Sequence, residues 1–209
     1  FVPVQNVKDL ALIVISNLDR YFLLYVLGGF VAQMIDGALG MAYGVSVTTF
    51  LLSLGIPSIT PAIASASMHA SEIFTTGSSS LVYMRFKNIN IKLFKKLLWP
   101  GIVGAILGAI SVSFISKENF GFIKPIVAAY TLVLGVIIIL RALQINLRKR
   151  DKIRKIFPVA LIGGYLDSVG GGGWGPIVTT SLVAGGRNLR YSIGSSHLAK
   201  FFVALISTI

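Results

Sequence analysis

The sequence predicts an all-α polytopic membrane protein made of two homologous repeats, each containing a glycine-interrupted helix, re-entrant or broken. Three observations carry this reading. The 209 residues are 55% hydrophobic and only 12% charged, with a mean hydropathy of +0.83, a balance that suits lipid as the solvent. Apolar runs long enough to cross a bilayer alternate with short connectors rich in Lys and Arg. Two glycine-rich stretches can also be aligned with each other position by position.

A spanning helix needs about 20 predominantly apolar residues. After an N-terminal segment, 1–20, the run Tyr21 to Leu54 is split at Gly37 to Gly44. Pro61 to Met84, Leu97 to Ser116 and Phe122 to Leu143 are uninterrupted spans, the last two joined by the polar link Lys117 to Gly121. Ile156 to Ala184 is split at Gly170 to Gly175. The half-helices after the breaks are expected to start near Val45 and at Pro176, because proline suits the first helical position. Each leaves about ten residues, roughly 15 Å of helix or half a bilayer core. Irregular backbone is not tolerated in hydrocarbon, so both breaks must face protein or a wet cavity. The chain thus divides into segment 1–20, a first repeat plus helical hairpin over 21–145, a basic cytoplasmic loop over 146–155, and a second repeat over 156–209. It opens on Phe1 and stops inside the apolar run Phe201 to Ile209. Further C-terminal helices are therefore expected, and the count of spans is a minimum.

The formal net charge of +12 raises the question of nucleic acid, and position answers it. Arg85, Lys87, Lys92, Lys95 and Lys96 share one connector, while Arg148, Lys149, Arg150, Lys152, Arg154 and Lys155 share another. That is the pattern of cytoplasmic loops, suited to anionic lipid head groups and not to nucleic acid. With no cysteine in the chain, disulfides and thiolate chemistry are excluded.

The duplication is explicit. Asp36, Gly40, Tyr43, Gly44, Thr48 and Thr49 match Asp167, Gly171, Trp174, Gly175, Thr179 and Thr180 at an offset of 131. Ser67, His69 and Phe74 match Ser195, His197 and Phe202 at an offset of 128, and the two histidines of the chain correspond. The connector Gly55 to Thr60 is uncharged, while its counterpart Gly185 to Arg190 carries Arg187 and Arg190. By loop charge the first faces out and the second in, which makes the repeats inverted if each broken segment is a re-entrant hairpin. If each broken helix crosses once instead, the repeats are parallel.

Inverted repeats with discontinuous helices are a recurrent transporter design, with the site near the midplane. A helix N-terminus offers unpaired N–H groups and partial positive charge, so two such ends favour a small anion. Gly40, Gly44, Gly173 and Gly175, with Tyr43 and Trp174 as walls, are the candidate substrate-binding residues at the breaks. His69, His197 and Lys200 complete the set from the helices that follow. Charges inside spans are costly, which singles out Asp36, Glu72 and Asp167 for a coupling or structural role. Glu72 lies three residues after His69, on one helical face with Ser65 and Thr76, and Lys200 lies three after His197. Lys200 can contact an anion directly, or belong to a structural ion pair. Glu72 or His69 can take up a coupling proton. No metal or cofactor is called for.

The stretches FVAQMIDGALGMAYGVSVTTFLL (Phe30 to Leu52), SMHASEIFTT (Ser67 to Thr76), DSVGGGGWGPIVTTSL (Asp167 to Leu182) and SSHLAKFF (Ser195 to Phe202) together resemble the TauE/SafE sulfite exporter family. The resemblance runs from about Phe22 onward. It implies a multi-pass permease of a prokaryotic plasma (inner) membrane that moves sulfite, a sulfonate or another small sulfur-containing anion. The chain departs from the family pattern by ending where its last helices would follow. Two other readings stand beside it. A passive anion channel shares the half-helix architecture. An intramembrane hydrolase would use GSSH (Gly194 to His197), but it leaves the duplication unexplained, and neighbours on a helix diverge by about 100°.

Overall fold

A computed structural model describes residues 20–40, 42–56, 59–113, 120–143 and 155–208. The N-terminal segment up to residue 19, most of the polar link after the fourth helix and nearly all of the basic loop 146–155 lie outside the described residues. Within them all regular structure is helical. The elements are α1 (Arg20–Leu39), α2 (Tyr43–Ser53), α3 (Pro61–Arg85), α4 (Ile91–Ser113), α5 (Phe120–Leu143) and α6 (Ile156–Gly170). A π-helical turn (Trp174–Thr179) then runs into α7 (Thr180–Ala184), and α8 (Leu189–Ser207) follows.

Polarity in this fold is distributed as lipid demands. Residues 22–39 of α1 and 91–111 of α4 form helices long and apolar enough to cross a membrane. The 25 residues of α3 also reach that length, about 37 Å at 1.5 Å per residue. Their mean hydropathy is lowered by Ser65, His69, Glu72, Thr76 and Ser80, all of which are buried. The outward face of the same helix carries Ile63, Phe74, Leu81 and Val82, with Phe74 77% exposed. A polar interior and an apolar exterior reverse the pattern of a water-soluble helix. The exposed apolar side chains of α1 and of α5, Leu132, Val136, Ile139 and Leu140 among them, continue that exterior. The chain is a membrane protein.

Three pairings organise the interior. Gly28 of α1 lies against Phe50 of α2, and Asp36 reaches the start of α2, so α2 folds back antiparallel along α1. In the same way Gly163 of α6 lies against Val178 and Asp167 reaches Trp174, so the π turn and α7 fold back along α6. The third pair is α3 with α8: Gly77 lies against Phe201, Tyr83 against His197 and Asn90 against Ser195. These helices run antiparallel. Helix α4 packs beside α6 through small residues, the Gly164 Cβ position falling 2.3 Å from the Gly101 carbonyl oxygen. Such close approach is available only where side chains are absent. Leu93, Leu97, Ile156, Ala160, Trp174, Leu182 and Val203 form the main apolar core around this contact.

Some boundaries differ from the sequence reading. α4 begins at Ile91, before the expected Leu97, because Lys92, Lys95 and Lys96 are good helix formers and keep their charged ends in water. Both half-helices start two residues early, at Tyr43 and Trp174, in place of Val45 and Pro176. In the second, Pro176 sits inside the turn. The turn takes π geometry, in which the Thr180 N–H and its hydroxyl both donate to the Gly175 carbonyl. Single π turns of this kind recur at functional sites.

Candidate functional site

Each break is organised by the aspartate preceding it. Asp36 Oδ1 accepts hydrogen bonds from the N–H groups of Ala42 (2.8 Å) and Tyr43 (3.0 Å). Asp167 Oδ1 accepts from Gly172 (3.2 Å) and Trp174 (3.0 Å). Both therefore cap the helix beyond their own break, satisfying N–H groups that a helix start leaves free and placing a negative charge at its positive end.

The two breaks touch. A Cβ on Gly44 would lie 2.5 Å from the Gly172 Cα, and one on Gly172 would lie 2.4 Å from the Val45 nitrogen. Gly172 also has φ +117°, which a side chain would strain. Thr48 Oγ1 donates to the Gly171 carbonyl across the contact, at 3.2 Å. Backbone thus meets backbone at the junction of two helix starts, deep in the bundle.

Beside that contact is a cavity with about 40 Å³ available to a water-sized sphere. One water needs about 10–15 Å³ on this measure, so a few waters or one small oxyanion fit. Asp36, Gly40, Tyr43, Gly44, Glu72, Asp167, Trp174, Gly175, His197 and Lys200 all line it. Of the residues singled out in the sequence, His69 and Gly173 are not in the lining. His69 is fully buried behind Glu72, and Gly173 packs against the Tyr130 hydroxyl. Gln33, Thr75, Thr76, Ser79, Gly172 and Thr179 line the cavity without having been singled out as site residues. Gln33 was detectable as a polar residue in an apolar run, three before Asp36 and so on its helical face. The aromatic walls are tied in place: Tyr43 donates its hydroxyl proton to Ser71 Oγ (2.9 Å), and Trp174 Nε1 donates to Ser196 Oγ (2.9 Å).

Charge is concentrated on one side. Lys200 Nζ is 2.8 Å from Glu72 Oε2 and also donates to Asp167 Oδ2. His69 Nδ1 is 3.2 Å from the same Glu72 oxygen, and its Nε2 is 3.1 Å from the Asp167 carbonyl oxygen. Four ionisable groups from α3, α6 and α8 therefore form one buried cluster. Lys200 is a wall of the cavity with its ammonium committed to two carboxylates, the ion-pair alternative of the two its position allowed. His69, Glu72 and Asp167 are close enough to share a cation, and the cation in that space is the Lys200 ammonium. His197 presents a different face: its ring stands edge-on to Tyr83 at 5.7 Å, and its buried Nδ1 has no partner among the described residues.

The serines near His197 are engaged elsewhere. Ser195 Oγ donates to the Asn90 carbonyl and accepts from its N–H, while Ser196 binds Trp174 and Thr179. A serine nucleophile activated by histidine is not assembled here.

Residues 25–209 match the family described as sulfite exporter TauE/SafE. The chain belongs to that family. Among curated relatives, it is 36% identical over 191 residues to the "Probable membrane transporter protein YtnM" of Bacillus subtilis (strain 168), an alignment covering 86% of this chain. The chain spans about 60% of the length of that relative. No solved structure matches it significantly. The TauE/SafE match extends over both glycine breaks, both histidine-bearing helices and every residue that lines the cavity.

Proposed function

We propose that this chain forms the substrate path of a secondary transporter, a multi-pass permease of a prokaryotic plasma membrane. Its cargo is a small anion, namely sulfite, a sulfonate or a related sulfur-containing anion. The observation that carries the reading is the meeting of the two glycine breaks beside a small cavity. Residues matched at a constant offset, Tyr43 with Trp174, Gly44 with Gly175 and Asp36 with Asp167, stand on its walls.

The broken segments are read as re-entrant hairpins and the repeats as inverted. Both hairpins fold back on themselves, and α3 and α8, which carry the matched histidines, run in opposite senses. Arg85 and Lys87 at the end of α3 then lie on the same side as Arg187 and Arg190 before α8, as the cytoplasmic preference of basic residues requires. Two inverted units sharing one midplane site can rock against each other, opening the site first to one side and then to the other. Coupling to an ion gradient, with protons as the ion, fits ionisable groups buried at the site.

The test is sulfite flux in proteoliposomes holding the full protein. Saturable flux with accelerated exchange, in which external sulfite speeds the exit of labelled internal sulfite, is the expected result. Flux that does not saturate and shows no exchange would favour a passive channel. Absence of flux with sulfite, thiosulfate and short sulfonates would remove the permease reading.

A further inference from the structure

The cluster behind the cavity has a proton count that its hydrogen bonds dictate. Both ring nitrogens of His69 face acceptors: Nε2 faces the Asp167 carbonyl oxygen at 3.1 Å and Nδ1 faces Glu72 Oε2 at 3.2 Å. A carbonyl only accepts, so Nε2 carries its hydrogen and donates. A neutral imidazole would then turn the Nδ1 lone pair toward a carboxylate oxygen, with nothing between them. One further proton is needed, on Nδ1 or on Glu72. Glu72 Oε2 already accepts from Lys200, which leaves it in the acceptor role and puts the proton on Nδ1.

We infer that this proton, shared by His69 and Glu72, is the coupling proton, and that it travels with a singly charged anion. The inference rests on the permease reading above. With the proton present, Asp167 and Glu72 balance Lys200 and His69, and the cluster is neutral. Without it the cluster carries one net negative charge, next to a cavity that Asp36 also faces. Lys200 cannot compensate, since its ammonium is held by both carboxylates. The N–H groups of Tyr43 and Trp174 at the helix starts are likewise already donated to aspartates. An anion is therefore admitted while the proton is in place and repelled when it is gone. The proton has an exit: His69 is fully buried, whereas Glu72 lines the cavity, so it passes from Nδ1 to the Glu72 carboxylate and on to water there.

The groups facing the pair from neighbouring elements are Asp167 on α6, Lys200 and His197 on α8, Tyr43 on α2 and Asp36 on α1. None supplies a second unpaired cation in the described arrangement. Anion and proton are thus thermodynamically linked, each raising the affinity for the other by the same factor. A proton accompanying a monoanion makes the cycle electroneutral.

The test uses ethanesulfonate, a monoanion at every pH of interest, with the full protein in proteoliposomes containing a pH-sensitive dye. Wild type is expected to move one proton with each ethanesulfonate, at a rate indifferent to membrane potential. In His69→Gln, whatever flux remains should carry no proton, and an imposed pH gradient should no longer drive accumulation. If sulfite is carried and ethanesulfonate is not, the same count is made with sulfite as the difference between wild type and His69→Gln, so that sulfite's own protons cancel. Should His69→Gln fail to fold, two measurements replace it. Glu72→Gln supplies the proton count, and wild-type affinity for ethanesulfonate should fall as pH rises, as linkage to a bound proton requires. Anion flux without protons in wild type, or protons still moving in the variants, or affinity independent of pH, overturns the inference and leaves the permease standing. No flux of either anion, nor of thiosulfate, in wild type brings down the permease reading itself.

Discussion

Replacing Gly44 and Gly37 by alanine should have opposite consequences, although both belong to the same glycine stretch. A methyl group at position 44 would lie 2.5 Å from the Gly172 Cα and 3.0 Å from the Gly172 nitrogen. Carbon atoms pack best at about 3.5–4.0 Å, so the contact is short by about 1 Å. Alanine has no rotamer to change and the opposing atoms are backbone, so the two breaks must move apart by about that distance. Overpacking of this kind costs about 1–3 kcal/mol, and the displacement falls on the wall of the cavity. Gly37 has nothing within 4 Å of its Cβ position and is exposed on the outer face of α1. There alanine should stabilise the helix by up to about 1 kcal/mol and leave transport intact. Equilibrium unfolding in mild detergent and sulfite flux in proteoliposomes measure the two effects. If Gly44→Ala matched Gly37→Ala in stability and flux, the contact between the breaks would not exist as described.

Lys200→Met should cost about 3–5 kcal/mol, because it strips the ammonium from two buried carboxylates, Glu72 and Asp167, and leaves His69 as the one base beside them among the described residues. Adding Glu72→Gln should recover part of that loss, a coupling that a double-mutant cycle of unfolding free energies reads directly. Asp36→Ala should cost about 1 kcal/mol as a lost cap, whereas Asp167→Ala, fully buried and bonded to Lys200, should cost about 3–5 kcal/mol. Equal losses in the same unfolding assay would contradict the asymmetry between the two breaks. His197→Ala should lower sulfite flux, because its ring lines the cavity; unaltered flux would separate His197 from the transport step.

Much of the architecture was legible because bilayers impose simple rules. Run length and loop charge located α3 and α5 closely but missed the first turn and a half of α4, and the matched glycines marked where α1 and α6 stop. The interior polar face of α3 was legible too, since His69 and Glu72 at i, i+3 with Ser65 and Thr76 share one side of a helix. Three-dimensional partnership was not. That Lys200 binds both Asp167 and Glu72, 33 and 128 positions away, depends on how α8 sits between α3 and α6, which no spacing along the chain encodes. Gly173 and His69 fall outside the cavity lining for a related reason. Gly173 shares a glycine run with Gly172, yet only Gly172 meets the opposite break, and His69 shares a face with Glu72 but stands one layer deeper. The early start of the second half-helix reflects local chemistry: Pro176 suits a helix's first position, and the chain instead admits it inside the helix by widening one turn.

An anion bound where the two breaks meet can be seen directly. Crystals of the full protein soaked with selenite, the selenium analogue of sulfite, would locate it by anomalous scattering. A selenium peak is expected in the cavity bounded by Tyr43, Trp174 and His197. A peak confined to the basic connectors, or an empty cavity in protein that transports selenite, would contradict it.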